Sequence, residues 1–223
     1  MSRGPVFVFD LDGTLVDSVY QQVISWSAAL QDVGLDLSVW RIHRRIGMSG
    51  GLIAHALVRE AGQPLDEGVL QRIQKVHADV YLQSIDTVRP LPGARELLAF
   101  LTDRGVPWTI ATSGRRVTAQ PALDLLDLPE TIPIVTHEDV EHAKPDPDLF
   151  LAAASKLEAE IEDLVIVGDS VWDLLAARRA RALGIGLLSG GYGREELEGA
   201  GAFRVYNDPA DLLEHLDEVG VRT

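Results

Sequence analysis

Two aspartates one residue apart, Asp10 and Asp12, close a run of four apolar residues in the stretch VFVFDLDGT at 6–14. A short apolar run ending near Gly13 reads as a buried strand opening into a turn, so both carboxylates stand where a strand meets its loop. In an α/β sheet that end is where ligands bind. Like charges this close repel, and burying them unpaired is costly or shifts a proton. A divalent cation is the simplest reason to keep them together. Mg²⁺ takes carboxylate and carbonyl oxygen and keeps waters and substrate phosphate in its shell, which makes phosphate chemistry the first hypothesis. The plain alternative is an ordinary strand end followed by an Asp-Gly turn.

Three further stretches carry chemistry-bearing residues at predicted strand ends. WTIATSG at 108–114 ends in Thr112 and Ser113, whose hydroxyls and turn amides suit a phosphoryl oxygen because they donate without adding charge; a Ser/Thr helix cap is the bland reading. HAKPDPD at 142–148 holds Lys144, the only Lys between Lys75 and Lys156, on backbone stiffened by two prolines. A fixed ammonium there could hold a phosphate; a solvated surface Lys is the alternative. LVIVGDSVWD at 164–173 repeats the opening pattern, with Asp169 at the strand tip and Asp173 four residues on. Asp173 would fall in the first turn of the next helix, capping it or facing Asp169. Capping does not account for Asp169, and two strands from opposite ends of the sequence, each ending in Asp, suggest a cation between them.

The elements that must position these groups follow from periodicity. Strand candidates at 108–111, 132–135, 164–167, 185–188 and 203–206 alternate with helical candidates at 94–104, around 119–126, and at 147–157, 171–183, 195–200 and 209–219. Such alternation implies mostly parallel strands with right-handed crossovers and helices on both faces, a Rossmann-like doubly wound α/β sheet. Between the first strand and Arg89 no convincing strand is seen. Val19, Val23, Trp26, Leu30 and Val33 recur at spacings of four and three, as do Val69, Ile73, Val76 and Val80, with shorter helical stretches at 36–46 and 51–61 around GMSGG. Residues 17–87 therefore read as an inserted helical cap domain, and 1–16 with 88–223 as the core domain. A lid over a reactive site excludes water and selects substrates.

Composition narrows the function classes. The 223 residues suit one domain with a sizeable insertion, and 20 basic against 34 acidic residues give a net charge of -14. That charge repels phosphate backbones and anionic lipid, so neither nucleic acid nor a membrane is an expected partner. The absence of Cys removes disulfides, thiolate metal sites and a Cys nucleophile, and the six His form no HExxH pair. No signal peptide or membrane span is read, which makes the cytoplasm the expected location. Oligomeric state is not legible.

In order along the chain, DLDGT at 10–14, Thr112 after a strand, Lys144 before a Pro, and GDSVWD at 168–173 resemble the four motifs of the haloacid dehalogenase-like hydrolases. The size and place of the helical insertion resemble the subgroup containing phosphoglycolate phosphatases and β-phosphoglucomutases. The resemblance covers essentially the whole chain. It implies Asp10 as nucleophile, forming an aspartyl phosphate, and Asp12 as the acid and base that protonates the leaving group and then activates water. It implies Mg²⁺ as cofactor, held by Asp10, the carbonyl of Asp12 and Asp169, with Asp173 acting through water or from behind. Thr112, the amide of Ser113, Gly114 and Lys144 would bind the phosphoryl oxygens of a small phosphorylated metabolite.

Departures bear on the reaction. Dehalogenases lack a second loop acid like Asp12, so phosphoryl chemistry is expected. The mutases carry a His near where Gln22 stands and a cap Lys near Val80; neither is present, which favours hydrolysis over phosphate relocation. Arg115 and Arg116, after the phosphate-binding turn, and in the cap Arg45 and Ser49 beside GMSGG, are further candidates for substrate contact; covering a helix start in solvent is the plain alternative for the two arginines after the turn. GMSGG also fits the G-x-S-x-G esterase pattern, but the preceding WRIHRRI is basic and helical rather than a strand. Trp26 is read as core. A non-catalytic binding protein on the same fold is the alternative from another class.

Overall fold

The computed structural model describes residues 4–64, 66–142 and 144–221. Eight strands lie among the described residues: β1 (Val6–Phe9), β2 (Val16–Asp17), β3 (Arg89–Pro90), β4 (Trp108–Ala111), β5 (Ile134–Val135), β6 (Leu164–Gly168), β7 (Leu183–Leu187) and β8 (Ala202–Tyr206). Six form one parallel sheet in the order β5-β4-β1-β6-β7-β8. The chain builds outward from β1 to one edge, then crosses back to lay β6 on its other side. That reversal is the topological switch point of a doubly wound sheet, and β1 and β6 are the strands that flank it.

The helices are α1 (Val19–Asp32), α2 (Val39–His43), α3 (Gly50–Glu60), α4 (Glu67–Ser84), α5 (Ala94–Asp103), α6 (Arg116–Leu123), α7 (Asp148–Lys156), α8 (Val171–Ala180), α9 (Arg194–Ala200) and α10 (Pro209–Glu214). Although every residue of β1 is buried, its two faces enter different cores. Phe7 and Phe9 pack with Trp108, Ile110, Val165 and Val167 against α5, while Val6 and Val8 pack with Leu164 and Ile166 against α7 and α8. The strand alternation of period two survives inside a fully buried strand. Each such aromatic or aliphatic side chain contributes about 1.5–3 kcal/mol by leaving water. This double-sided burial fixes β1 and so fixes where Asp10 emerges.

Residues 19–84 fold on themselves, with α1 packed along α4. Val19, Val23, Trp26 and Leu30 from α1 meet Ile73 and Leu70 from α4, and Ile53 and Leu57 from α3, in a separate apolar cluster. One expectation for this segment fails. Val16 pairs with Pro90 and Asp17 with Arg89, so a two-residue antiparallel ribbon joins the chain's exit and return where no strand was expected. Two residues are too few to leave a period in the sequence.

Boundary differences have local causes. The strand expected at 132–135 is only Ile134–Val135, following Pro133, and that expected at 185–188 lies at Leu183–Leu187 because Leu188 opens a 3₁₀ turn. Helix α8 stops at Ala180 because Arg181 adopts φ 65°, the left-handed conformation that closes a helix. Among the described residues no helix is long and apolar enough to cross a membrane.

Candidate active site

The sheet register brings Asp10 and Asp169 together. Phe9 stands opposite Val167 in the parallel pair, and the Asp10 amide donates to the Val167 carbonyl at 2.9 Å, so Asp10, directly after β1, and Asp169, directly after Gly168 at the end of β6, open at the same edge. Ser170 and Asp173 form a capping box at the start of α8: the Asp173 carboxylate accepts from the Ser170 amide at 3.1 Å and from Ser170 Oγ at 2.6 Å. Capping and facing the acidic pair are thus both true of Asp173, because its other oxygen is turned into the site. Carboxylate oxygens of Asp10, Asp169 and Asp173 lie within 4.8 Å of one another.

Lys144 is entirely buried among them. Its Nζ donates to Asp10 Oδ1 at 2.6 Å and to Asp173 Oδ1 at 2.7 Å. The solvated-Lys reading is overturned. Its neighbour Ala143 lies outside the described residues.

Three carboxylates share this single ammonium. Burial drives the Asp10 carboxyl up to about 7; Lys144 pulls against that, while Asp173 reinforces it. Asp169 is pushed well above the usual carboxylate range by burial, then by Asp173 and Asp10. Lys144 goes the other way: burial alone would lower it, but the two carboxylates outweigh burial and raise it. Fully ionised, the cluster carries two uncompensated negative charges in a dry site, a condition met either by protons or by a divalent cation. An all-oxygen, carboxylate-rich donor set fits Mg²⁺. Asp169 is also wedged in place: a Cβ on Gly190 would lie 1.8 Å from its Oδ2 and one on Gly13 2.5 Å away, while Thr14 Oγ1 donates to its Oδ1 at 2.9 Å.

Asp12 points elsewhere. The chain turns directly after β1, with the amides of Leu15 and Val16 both bonding the Leu11 carbonyl. The Asp12 carboxylate accordingly sits outside the acidic cluster, where its Oδ1 accepts from Ser18 Oγ, from Gln22 Nε2 at 3.1 Å and from Tyr81 OH at 3.3 Å.

A cavity of about 380 Å³ opens above this edge, lined by Asp10, Asp12, Thr112, Ser113, Gly114 and Lys144 from the sheet side. Thr112 Oγ1 accepts from the Gly114 amide at 3.0 Å, and Ser113 Oγ donates to the Gly47 carbonyl at 3.3 Å, tying the turn after β4 to the helical segment. Three expected contacts are not brought to the cavity. Arg116 is exposed and its amide donates to Glu138 at 3.0 Å; Arg45 pairs with Glu60 at 3.2 Å, drawn along α3; Ser49 is consumed in capping α3. Arg115, beside Arg116, does line the cavity.

The far wall was not legible. Gln22 and Trp26 of α1, and Gln71, Gln74, Lys75, His77 and Asp79 of α4, face the cavity, joined by Met48 and His137. Trp26 is core and wall at once. Its ring stacks on His77 at 4.0 Å, and burial lowers the His77 imidazole to about 3, keeping it neutral. The one available signal was the polar residues four apart beside the apolar stripe of α1, Ser18 and Gln22, matched by His77 and Tyr81 on α4.

Comparison with known proteins agrees with this geometry. A model of the haloacid dehalogenase-like hydrolases matches residues 5–181. A phosphoglycolate phosphatase of Caulobacter vibrioides is 31% identical over 213 residues, covering 94% of this chain and 90% of that one. A probable phosphatase, IndB, of Dickeya dadantii is 32% identical over 206 residues, covering 88% and 86%. The crystal structure of a hydrolase from Pseudomonas syringae superposes with a TM-score of 0.95 at 52% identity, covering 97% of this chain and 100% of that chain. With most of its length matched by the family and by curated phosphatases, the chain belongs to the haloacid dehalogenase-like hydrolases and is a phosphatase among them.

Proposed function

We propose that this phosphatase is Mg²⁺-dependent, resembles the phosphoglycolate phosphatases, and hydrolyses a small phosphorylated metabolite in the cytoplasm through an aspartyl phosphate on Asp10. In this reading 1–16 and 88–223 form the catalytic core domain and 17–87 the cap domain. The observation that carries it is the position of Asp10: a buried carboxylate at the tip of β1, on the cavity wall, bonded to Lys144 and grouped with Asp169 and Asp173. Asp10, Asp169 and the backbone of Asp12 would hold Mg²⁺, with Asp173 behind them. When bound, the cation offsets charge on the carboxylates and on the phosphoryl oxygens.

The chain's own groups then have separate tasks. Thr112, Ser113, Gly114 and Lys144 bind the phosphoryl oxygens by hydroxyl, amide and ammonium donors. An Asp10 oxygen attacks phosphorus, forming the acyl phosphate P–O bond as the bond to the leaving oxygen breaks, and Asp12 gives that oxygen its proton. Water next attacks the same phosphorus, Asp12 takes the water's proton, and the bond to Asp10 breaks, releasing phosphate and restoring both carboxyls. Arg116, Arg45 and Ser49 have no part in this scheme.

Phosphate release from a panel of phosphorylated metabolites, with and without Mg²⁺, tests the reading alongside Asp10→Asn. Activity that needs Mg²⁺ and falls at least ~10³-fold in the variant is expected for loss of a nucleophile. Undiminished activity in Asp10→Asn overturns the nucleophile, and an inert wild type that only binds the phosphates favours a binding protein. An isomeric sugar phosphate in place of free phosphate would reveal a mutase.

A further inference from the structure

Between α1 and α4 runs a polar seam inside an otherwise apolar bundle. Ser18 at the N-cap of α1 is followed at spacings of four by Gln22 and Trp26 on that helix, and His77 and Tyr81 stand four apart on α4, so two short rows meet face to face. The seam ends on one atom, Asp12 Oδ1, which accepts from Ser18, Gln22 and Tyr81. An ionised carboxylate only accepts hydrogen bonds, so Gln22 must turn its amide nitrogen toward Asp12 and its oxygen away. That oxygen lies 2.8 Å from His77 Nε2, which must therefore carry the ring proton. His77 in turn is fixed between the Trp26 ring, stacked at 4.0 Å, and the Tyr81 ring at 6.3 Å. Every member is thus oriented by the next, and Tyr81 and Ser18 are almost wholly buried. A row of polar groups packed between two helices, buried at Ser18 and Tyr81 and half-buried at the cavity wall at Gln22 and His77, is less economical than an apolar one unless the order it imposes is used.

We propose that Gln22, Tyr81 and His77 are positioning residues for the proton transfer of Asp12, so that the helical insertion orients the acid as well as covering the cavity. Three donors on Oδ1 hold the carboxyl plane and leave Oδ2 to give and take the proton. The inference rests on the reading of Asp12 as proton donor, and its test separates the two.

The experiment is rapid-quench measurement of leaving-group release in the first turnover, with Mg²⁺ present, using phenyl phosphate and p-nitrophenyl phosphate. Phenoxide needs a proton as it departs; p-nitrophenoxide barely does. In Gln22→Met/Tyr81→Phe, phenol release is expected to slow about tenfold or more, within the reach of general acid catalysis, with p-nitrophenol release changed less than about twofold. Tyr81→Phe alone, which removes a single oxygen, should show the same split at smaller size, and covers the case in which the double variant does not fold. A role limited to packing slows both substrates equally, and a substrate contact raises KM for both; either result, or no change, overturns the proposal. Asp12→Asn is the reference. If it shows no split, the assignment of Asp12 fails and takes this inference with it; a split there but not in the seam variants overturns the seam alone.

Discussion

Two polar clusters meet at the ends of one tripeptide, and they are built on opposite principles. Asp10 enters a charged cluster at the sheet edge, three buried carboxylates around Lys144. Asp12, two residues on, enters a neutral one between α1 and α4, made of a hydroxyl, an amide, a phenol and an imidazole that keeps no charge. In a continuing strand the two side chains would share a face. They part because β1 ends at Phe9 and the chain winds back on the Leu11 carbonyl. The charged cluster is assembled by strand register, and its members perturb one another's protons. Helix period assembles the neutral one, whose members fix one another's direction. Under the roles proposed above, an acid that would lose its proton and another that would hand one on are thereby given unlike surroundings.

The sharpest way to break this contrast is to remove one charge. Lys144→Met leaves Asp10 and Asp173 buried without their cation, and breaking a buried pair in this way costs about 3–5 kcal/mol. Urea unfolding of the metal-free protein should show that loss, and added Mg²⁺ should restore part of it by supplying the missing positive charge. Gln22→Met in the neutral seam should cost no more than about 1–3 kcal/mol, the penalty for an unmet buried hydrogen bond, and Mg²⁺ should leave it unaffected. Equal costs, or equal responses to Mg²⁺, would mean the two clusters are not distinct.

That contrast also explains what the sequence could disclose. Asp10, Asp169 and Thr112 were legible because each closes an apolar run, and Lys144 because it is the only Lys between Lys75 and Lys156, on backbone stiffened by two prolines; such residues have few plain explanations once several occur in order. The parallel sheet was legible for the same reason, since alternating strand and helix patterns leave few topologies. Gln22, His77 and Tyr81 were hidden because their meaning depends on how α1 faces α4, an angle no single helix encodes. Arg116, Arg45 and Ser49 were expected near the substrate but do not line the cavity. Each lies near a motif, but the structure engages it elsewhere: Arg116 is exposed with its backbone amide bonded to Glu138, Arg45 pairs with Glu60, and Ser49 caps the open amides of α3.

A smaller effect separates the clusters by pH. The folded His77 stays neutral down to about 3, held there by burial, whereas an unfolded His takes a proton near 6.5. Between those values the unfolded chain binds more protons, so this contribution to stability is complete above 6.5 and is lost as pH falls toward 3. Asp10 has the opposite sign: its folded carboxyl titrates near 7 and its unfolded one near 3.8, so in the metal-free protein acid favours the fold through that range. The two partly cancel in the wild type. His77→Gln keeps a neutral donor toward Gln22 and removes the titrating ring. Between pH 7.5 and 5 the wild type should lose about 2 kcal/mol relative to this variant in denaturant titrations. A variant that tracks the wild type across that range would show that His77 is free to protonate in the fold.

The smallest predicted change probes the charged cluster without altering any charge. Gly190 lies in the turn after β7, and a Cβ there would come within 1.8 Å of Asp169 Oδ2 and 2.5 Å of its Cγ. Both atoms cannot stay, so Gly190→Ala must turn or displace the Asp169 carboxylate while leaving its charge and the Lys144 pairs in place. Changes to groups that orient a metal ligand commonly weaken binding by about 10–100-fold. The Mg²⁺ concentration giving half of the full thermal stabilisation should therefore rise about tenfold, a difference of ~1.4 kcal/mol. The seam is remote from this change in bonding, so the ratio of phenol to p-nitrophenol release at saturating Mg²⁺ should match the wild type. An unchanged Mg²⁺ midpoint would mean that the position of Asp169 is immaterial to cation binding and that its charge alone serves. A changed ratio would mean that the two clusters, which part at Leu11, are coupled through the backbone of that turn after all.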